Sequence, residues 1–435
     1  MRKKILLINV FALLIFILNC STSLAFNFYP DDLNSDSVYM LNWNRKLPVV
    51  EKNINKRRSP ASLTKIMTFI ITYENSADRD QTKVKVSKEM LESVDPESSG
   101  VKLKVGEEVS INDLLKCMMI SSSGYAATVL AYHIGGSIEK FVEMMNQKVQ
   151  ELGCNDTHFA NPDGIYNQNQ YSTALDISKI TEYAMQNPEF IDIVGKSECN
   201  IFGDERDPVV TTNRMLDEKR GGKYYCPWVR GIKTGYIEDA GRCLVSYAVK
   251  DNNTYLAVVM GGPTRDAQGK ELEENFAMLD TLNLYNWAFK SLKSTLLYSK
   301  NLPLTEINME FAFGKDKLLL APSSDVHIVI PQDLNEEEIS VNYEIPDSIN
   351  APVSKGDKIG KAEVNYRGEK LNSFDLISLE TFKRSYLLVI SKTFKDIVTS
   401  KIFISILLLI VVLAVCYIFI LFNSNKSRNK KKKLK

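Results

Sequence analysis

The chain has 435 residues, with 54 Lys and Arg against 53 Asp and Glu, a formal net charge of +1 and 44% hydrophobic residues. That length exceeds one typical domain of roughly 100–200 residues, so two folded units or one large one are expected. A 25% charged content with 9% aromatics excludes a low-complexity or wholly disordered chain, and the near-neutral total offers no general attraction for nucleic acid.

At the start, Arg2, Lys3 and Lys4 precede an apolar stretch from Ile5 to Leu18 and small residues from Ser21 to Ala25. This order predicts a secretory signal over residues 1–25, with Ser23-Leu24-Ala25 as the cleavage site; an uncleaved anchor is the alternative. Next, Ser62-Leu63-Thr64-Lys65 opens a predicted helix, Ala61 to Glu74, just after Pro60. Positions three apart share a helical face, so the hydroxyl lies near a helix N-terminus with an amine in reach to take its proton. Ser137 to Lys140 and Ser427 to Lys430 repeat the same spacing, so the pattern alone is weak.

Further helices are predicted over Ile111 to Tyr132, Ser137 to Leu152, Ala174 to Gln186 and Phe276 to Leu292 from their apolar periodicity. Lys233-Thr234-Gly235 offers a cation and a hydroxyl for a carboxylate, with a glycine that lets backbone approach a ligand. Strands follow at Cys243 to Val249 and Tyr255 to Met260, joined by a turn at Asp251-Asn252-Asn253. Helices mixed with antiparallel strands indicate an α+β domain over residues 26–293. A small β-rich unit over 294–385 contains strands at Val326 to Ile330 and Ile339 to Tyr343, with turns at Lys355 to Asp357 and Tyr366 to Gly368. A linking helix at 386–401 leads into Ile402 to Phe422, which is 21 residues without a charge and long enough to cross a ~30 Å hydrocarbon core. The basic tail, 423–435, marks the cytoplasmic side and places the body outside, so a single-pass protein of a bacterial cell membrane is expected.

The three basic residues of the start and seven of the tail account for ten of the total, leaving 44 basic against 53 acidic and a body at −9. Five of the seven cysteines fall in that body, at 117, 154, 199, 226 and 243, and Cys199 with Cys226 is one conceivable bridge. The three histidines, His133, His158 and His327, stand in no metal-binding or Ser-His-Asp arrangement, so neither a metal nor another cofactor is expected.

Four passages in order resemble the low-molecular-mass penicillin-binding proteins, the serine-type D-alanyl-D-alanine carboxypeptidases. They are Ser59 to Thr68, Ala131 to Ser137, Thr157 to Gly164 and Gly231 to Tyr236. The resemblance implies a β-lactamase/transpeptidase-like domain followed by a small all-β domain. It implies Ser62 as nucleophile, Lys65 as its base, Lys233, Thr234, Gly235 and Tyr236 as substrate-binding residues, and backbone N–H groups of Ser62 and Tyr236 as oxyanion hole. Peptidoglycan stem peptides ending in D-Ala-D-Ala become the expected substrate, β-lactams the covalent inhibitors, and the membrane a partner through the C-terminal helix.

One element departs from the pattern. In the place of the family's Ser-x-Asn, Ser122 supplies the serine and the third catalytic position, but Gly124 replaces the asparagine. Loss of one positioning hydrogen bond costs about 1–3 kcal/mol, a slowing of roughly tenfold to a hundredfold. Gly124→Asn is then expected to gain rate. A catalytically impaired wall-binding or regulatory protein of the same fold is the alternative; a β-lactamase would need a Glu-x-x-Leu-Asn pattern that the chain lacks.

Overall fold

The computed structural model describes residues 32–202, 206–334, 336–366 and 368–432, so the expected signal lies outside the described residues. Two compact units are distinguished: one ends at Thr295 and includes Val329–Leu334, and the other takes Leu296–Ile328 and the chain from Asn335 onward.

The first unit is built on a five-stranded antiparallel sheet. Its strands are β1 (Ser37–Asn42), β2 (Leu47–Lys52), β3 (Val229–Ile237), β4 (Gly241–Lys250) and β5 (Asn253–Gly262), in the spatial order β2-β1-β5-β4-β3. The β4–β5 turn places Asp251 and Asn252 at φ 48° and 63°, the left-handed pair that a two-residue hairpin uses. Both faces of the sheet are covered. Tyr39, Leu41, Val245, Leu256 and Val258 face one core, while Val38, Met40, Leu244, Ala257 and Val259 face the other. Because both pleat faces are buried, these strands read as continuous apolar runs and lose the alternation that marks a half-exposed strand.

The larger core packs α1 (Lys65–Glu74), α2 (Ile111–Ile120), α3 (Gly124–Gly135), α4 (Ile138–Glu151) and α5 (Ala174–Ala184) together. Residues 65–72 of α1 are all buried, so this helix runs through the middle of the cluster. The opposite face is closed by α6 (Phe276–Ser291), through Met278, Leu284, Tyr285 and Ala288.

The single helix expected from Ile111 to Tyr132 is two helices. Ser121 closes α2, Ser122 takes φ 63°, and the Ser123 hydroxyl caps α3 by accepting from the Ala126 N–H at 3.2 Å. Consecutive serines compete with the helical ladder for backbone partners and end it here. The Cys199–Cys226 bridge is also not formed, because Cys199 packs on the larger core and Cys226 lies inside the smaller one, on opposite sides of the sheet; both thiols are free.

The second unit holds a six-stranded sheet of β6 (Thr305–Glu310), β7 (Lys317–Pro322), β8 (Ile339–Glu344), β9 (Ser348–Asn350), β10 (Lys358–Tyr366) and β11 (Glu369–Ser378), ordered β8-β10-β11-β7-β6-β9. Val326–Pro331 is a strand outside that sheet, and β8 begins at Ile339 as expected. Helix α7 (Tyr386–Thr399) exposes Tyr386, Leu387, Ile390 and Phe394, and Lys392 ties it to Glu310 at 2.5 Å. Then α8 (Lys401–Lys432) contains a 20-residue segment, Lys401–Ile420, of mean hydropathy 3.2, long and apolar enough to cross a membrane.

Candidate active site

Ser62 and Lys65 are brought together by a tight turn rather than by an α-helix. Ala61–Thr64 is a 3₁₀ helix that runs into α1, and residues three apart eclipse in that geometry. The Lys65 Nζ donates to Ser62 Oγ at 3.0 Å and to the backbone carbonyl of Asp163. Thr68, one turn further, donates to the Pro162 carbonyl at 2.5 Å. The loop Asn161-Pro162-Asp163-Gly164 therefore clamps the start of α1 from outside it. It comes that close only because Gly164, at φ 89°, has no side chain: a Cβ there would stand 2.0 Å from the Ala61 carbonyl oxygen. Ala61 itself is at φ 47°, so backbone strain is held directly before Ser62.

The repeat of the spacing at Ser137 has a different use. Its hydroxyl accepts from the Lys140 backbone N–H at 3.3 Å as the N-cap of α4, which leaves it a structural role.

On the other side of the cleft, Lys233, Thr234, Gly235 and Tyr236 all lie on β3, an edge strand of the sheet. A Cβ on Gly235 would be 3.3 Å from the Ser62 backbone N and 3.2 Å from Pro60 O, so this strand and the start of the 3₁₀ turn are packed backbone to backbone. Lys233 is buried and its Nζ donates to the Thr234 carbonyl at 3.0 Å. The Thr234 hydroxyl is 2.5 Å from that of Thr212. Tyr236 is exposed at the mouth, with the Arg242 guanidinium 5.6 Å from its ring. Ser62, Lys65, Ser122, Thr234, Gly235 and Tyr236 line one cleft of about 500 Å³.

Two buried amines share this place, and the electrostatics follow from that. Burial lowers Lys65 to about 8, with the charge of Asp163 opposing the change. Burial likewise holds Lys233 well below the ordinary lysine range, and the neighbouring charge of Lys65 adds to the effect. An amine titrating near neutrality beside a hydroxyl can take the hydroxyl's proton, which an ordinary surface lysine cannot.

Comparison with known proteins identifies the family and the fold. A family model described as D-alanyl-D-alanine carboxypeptidase matches residues 25–264, and the C-terminal domain of penicillin-binding protein 5 matches residues 293–384. The chain belongs to the D-alanyl-D-alanine carboxypeptidase family. D-alanyl-D-alanine carboxypeptidase DacF of Bacillus subtilis is 30% identical to this carboxypeptidase over 352 residues, 79% of this chain and 85% of that one. Penicillin binding protein 5 of Haemophilus influenzae superposes with a TM-score of 0.63 at 26% identity, covering 82% of this chain and 99% of that one. A Streptomyces K15 DD-transpeptidase covers 60% of this chain and all of its own, with a TM-score of 0.52 and 26% identity.

Asp163, Ser98 and Thr212 also line the carboxypeptidase's cleft and were not singled out as site residues from the sequence. The Asn-Pro-Asp-Gly run at 161–164 carried a turn signal that could have marked a tight approach, whereas nothing local distinguishes Ser98 or Thr212. The expected benefit of Gly124→Asn is not supported: a Cβ at 124 would stand 2.6 Å from Ser98 Oγ, so the place is already filled.

Proposed function

We propose that the catalytic domain, residues 26–293, removes the terminal D-alanine from peptidoglycan pentapeptides through an acyl-enzyme on Ser62. The observation that carries this reading is the depressed Lys65 amine donating to Ser62 Oγ at 3.0 Å, in the same cleft as Thr234 and Gly235.

The terminal carboxylate of the peptide is received by Lys233 and Thr234. Its negative charge favours the protonated form of Lys233, and that cation in turn disfavours charge on Lys65, so substrate binding readies the base. Ser62 Oγ then attacks the carbonyl carbon of the penultimate D-alanine while its proton passes to Lys65. The oxyanion is held by the backbone N–H groups of Ser62 and Tyr236, a role favoured by the backbone packing of β3 on the 3₁₀ turn, where a Cβ added at Gly235 would stand 3.3 Å from the Ser62 nitrogen. The proton returns through Ser122 to the leaving amine, the C–N bond breaks, and free D-alanine departs. Water hydrolyses the ester by the reverse use of the same groups and regenerates Ser62.

The apolar segment Lys401–Ile420 of α8 and the basic residues that follow that segment favour a single membrane crossing with the catalytic domain on the extracytoplasmic face of a bacterial cell membrane, where stem peptides and β-lactams are met. The test is incubation of the full chain with a labelled penicillin, with mass spectrometry of the Ser62 peptide, beside release of D-alanine from a D-Ala-D-Ala peptide. Adduct and release are expected. The absence of both would sink the reading; adduct without release would favour the impaired, wall-binding alternative that Gly124 motivates.

A further inference from the structure

Gly124 leaves no gap. An ideal Cβ there would meet Ser98 Oγ at 2.6 Å, Ser98 Cβ at 2.7 Å and Asp163 Oδ2 at 3.0 Å, all inside ordinary contact distance. The space that an asparagine at this position would enter is occupied by the side chain of Ser98, brought in from a separate turn.

That turn is fixed in place by its own contacts. Ser98 N–H donates to the Asp95 carbonyl at 2.9 Å, and the Gly124 N–H donates to the Ser99 carbonyl at 3.0 Å, joining the turn to the first residue of α3. Gly100, at φ 85°, lies where any Cβ would be 2.6 Å from the Ser123 backbone, so a glycine on each of the two segments, Gly100 and Gly124, lets them approach. Ser98 is 8% exposed and Asp163 5%, and the Ser98 hydroxyl donates to Asp163 Oδ2 at 2.9 Å. Asp163 in turn accepts from the Lys65 amine through its backbone carbonyl.

We infer that Ser98 is a positioning residue that does the work of the missing asparagine side chain: it holds the Asp163 carboxylate in place, and Asp163 holds the amine of Lys65. This rests on the carboxypeptidase reading given above. The physical link is charge placement. A buried carboxylate with a fixed hydroxyl donor stays where it is; without that donor, it turns toward Lys65, the cation on which its charge already acts. The charged groups around Lys65 are Asp163 on the clamping loop and Lys233 on β3, with Glu97 on the turn that carries Ser98 and Glu238 and Arg242 also at the cleft.

The two removable members of the chain predict opposite shifts. In Ser98→Ala, closer pairing of Asp163 with Lys65 moves the half-maximal pH of acylation upward by about one unit, so the rate at pH 7 falls roughly tenfold while the high-pH rate recovers. In Asp163→Asn, loss of the negative charge moves the same midpoint downward. KM for a carboxylate-bearing peptide stays near the wild-type value in Ser98→Ala, since Lys233 and Thr234 are untouched. A swap gives the second arm: Gly124→Asn alone loses activity because Ser98 blocks it, and Ser98→Gly with Gly124→Asn recovers at least part of that loss.

Acylation by labelled penicillin and D-alanine release are measured from pH 6 to 10 in the full chain, with thermal melting as a check on folding. Opposite midpoint shifts, together with recovery in the swap, support the inference. A wild type that reacts normally beside variants with unshifted midpoints, or with equal loss at every pH and no recovery in the swap, overturns it and leaves the carboxypeptidase reading standing. A wild type that neither acylates nor releases D-alanine overturns both.

Discussion

The two walls of the cleft are built in different ways. On the Ser62 wall, the functional atoms are held by main-chain groups from distant segments: the Asp163 and Pro162 carbonyls grip Lys65 and Thr68 across nearly a hundred residues of sequence. On the Lys233 wall, the expected substrate-binding residues are four consecutive positions of one strand, and their spacing follows from pairing with β4, Lys233 opposite Val245 and Thr234 opposite Leu244. A sheet register sets positions at a regular period, whereas a loop clamp can set a single atom. The difference suits the tasks, because a carboxylate anchor tolerates a fixed rail and a proton-transfer pair needs individual placement.

Breaking each wall separately sharpens that contrast. Ser62→Ala should reduce acylation on the order of a thousandfold or more while leaving thermal melting near the wild-type value, read by penicillin adduct formation. Lys233→Met should lower kcat/KM for a carboxylate-terminated peptide by roughly tenfold to a hundredfold, with a much smaller loss on the amidated peptide, as expected for one charge-assisted contact. Equal losses on both peptides would remove the anchor role. Gly164→Ala is the structural counterpart on the first wall. With a Cβ 2.0 Å from the Ala61 carbonyl and a left-handed backbone, it should cost about 2 kcal/mol or more of stability by chemical denaturation.

The smallest effect is on pH. Acylation should rise about fivefold between pH 7 and 8 and level off above, as Lys65, lowered to about 8, loses its proton. The sign for stability runs the same way. Lys65 in the folded chain titrates near 8 and at its ordinary 10.5 when unfolded, so over that window the unfolded chain binds more protons and the contribution of this residue grows with pH. Below 8 it is at its minimum.

How much of this could be read beforehand differs by wall as well. Lys233-Thr234-Gly235 and Ser62 to Lys65 are local patterns, and Thr234 and Gly235 of the one and Ser62 and Lys65 of the other line the cleft. The break at Ser122 was hidden because the flanking residues, Leu114 to Ile120 and Ala126 to Ala131, keep a helical apolar period through it. Strand β1 carries no alternating pattern in the sequence because it is buried on both faces. Ser98 carries no local signal, and the turn signal around Asp163 does not say what it meets, since their place depends on which loops come together at Gly100, Gly124 and Gly164.

The thiols carry a consequence for handling the protein. Cys117, Cys154, Cys226 and Cys243 are buried, and burial pushes Cys117 and Cys154 up to about 12 and Cys243 to about 11. Thiolate is the form that oxidants and other disulfides attack, so these four are chemically quiet at neutral pH. Among the described residues the cysteines are all free, so the melting temperature should be the same with and without a reducing agent.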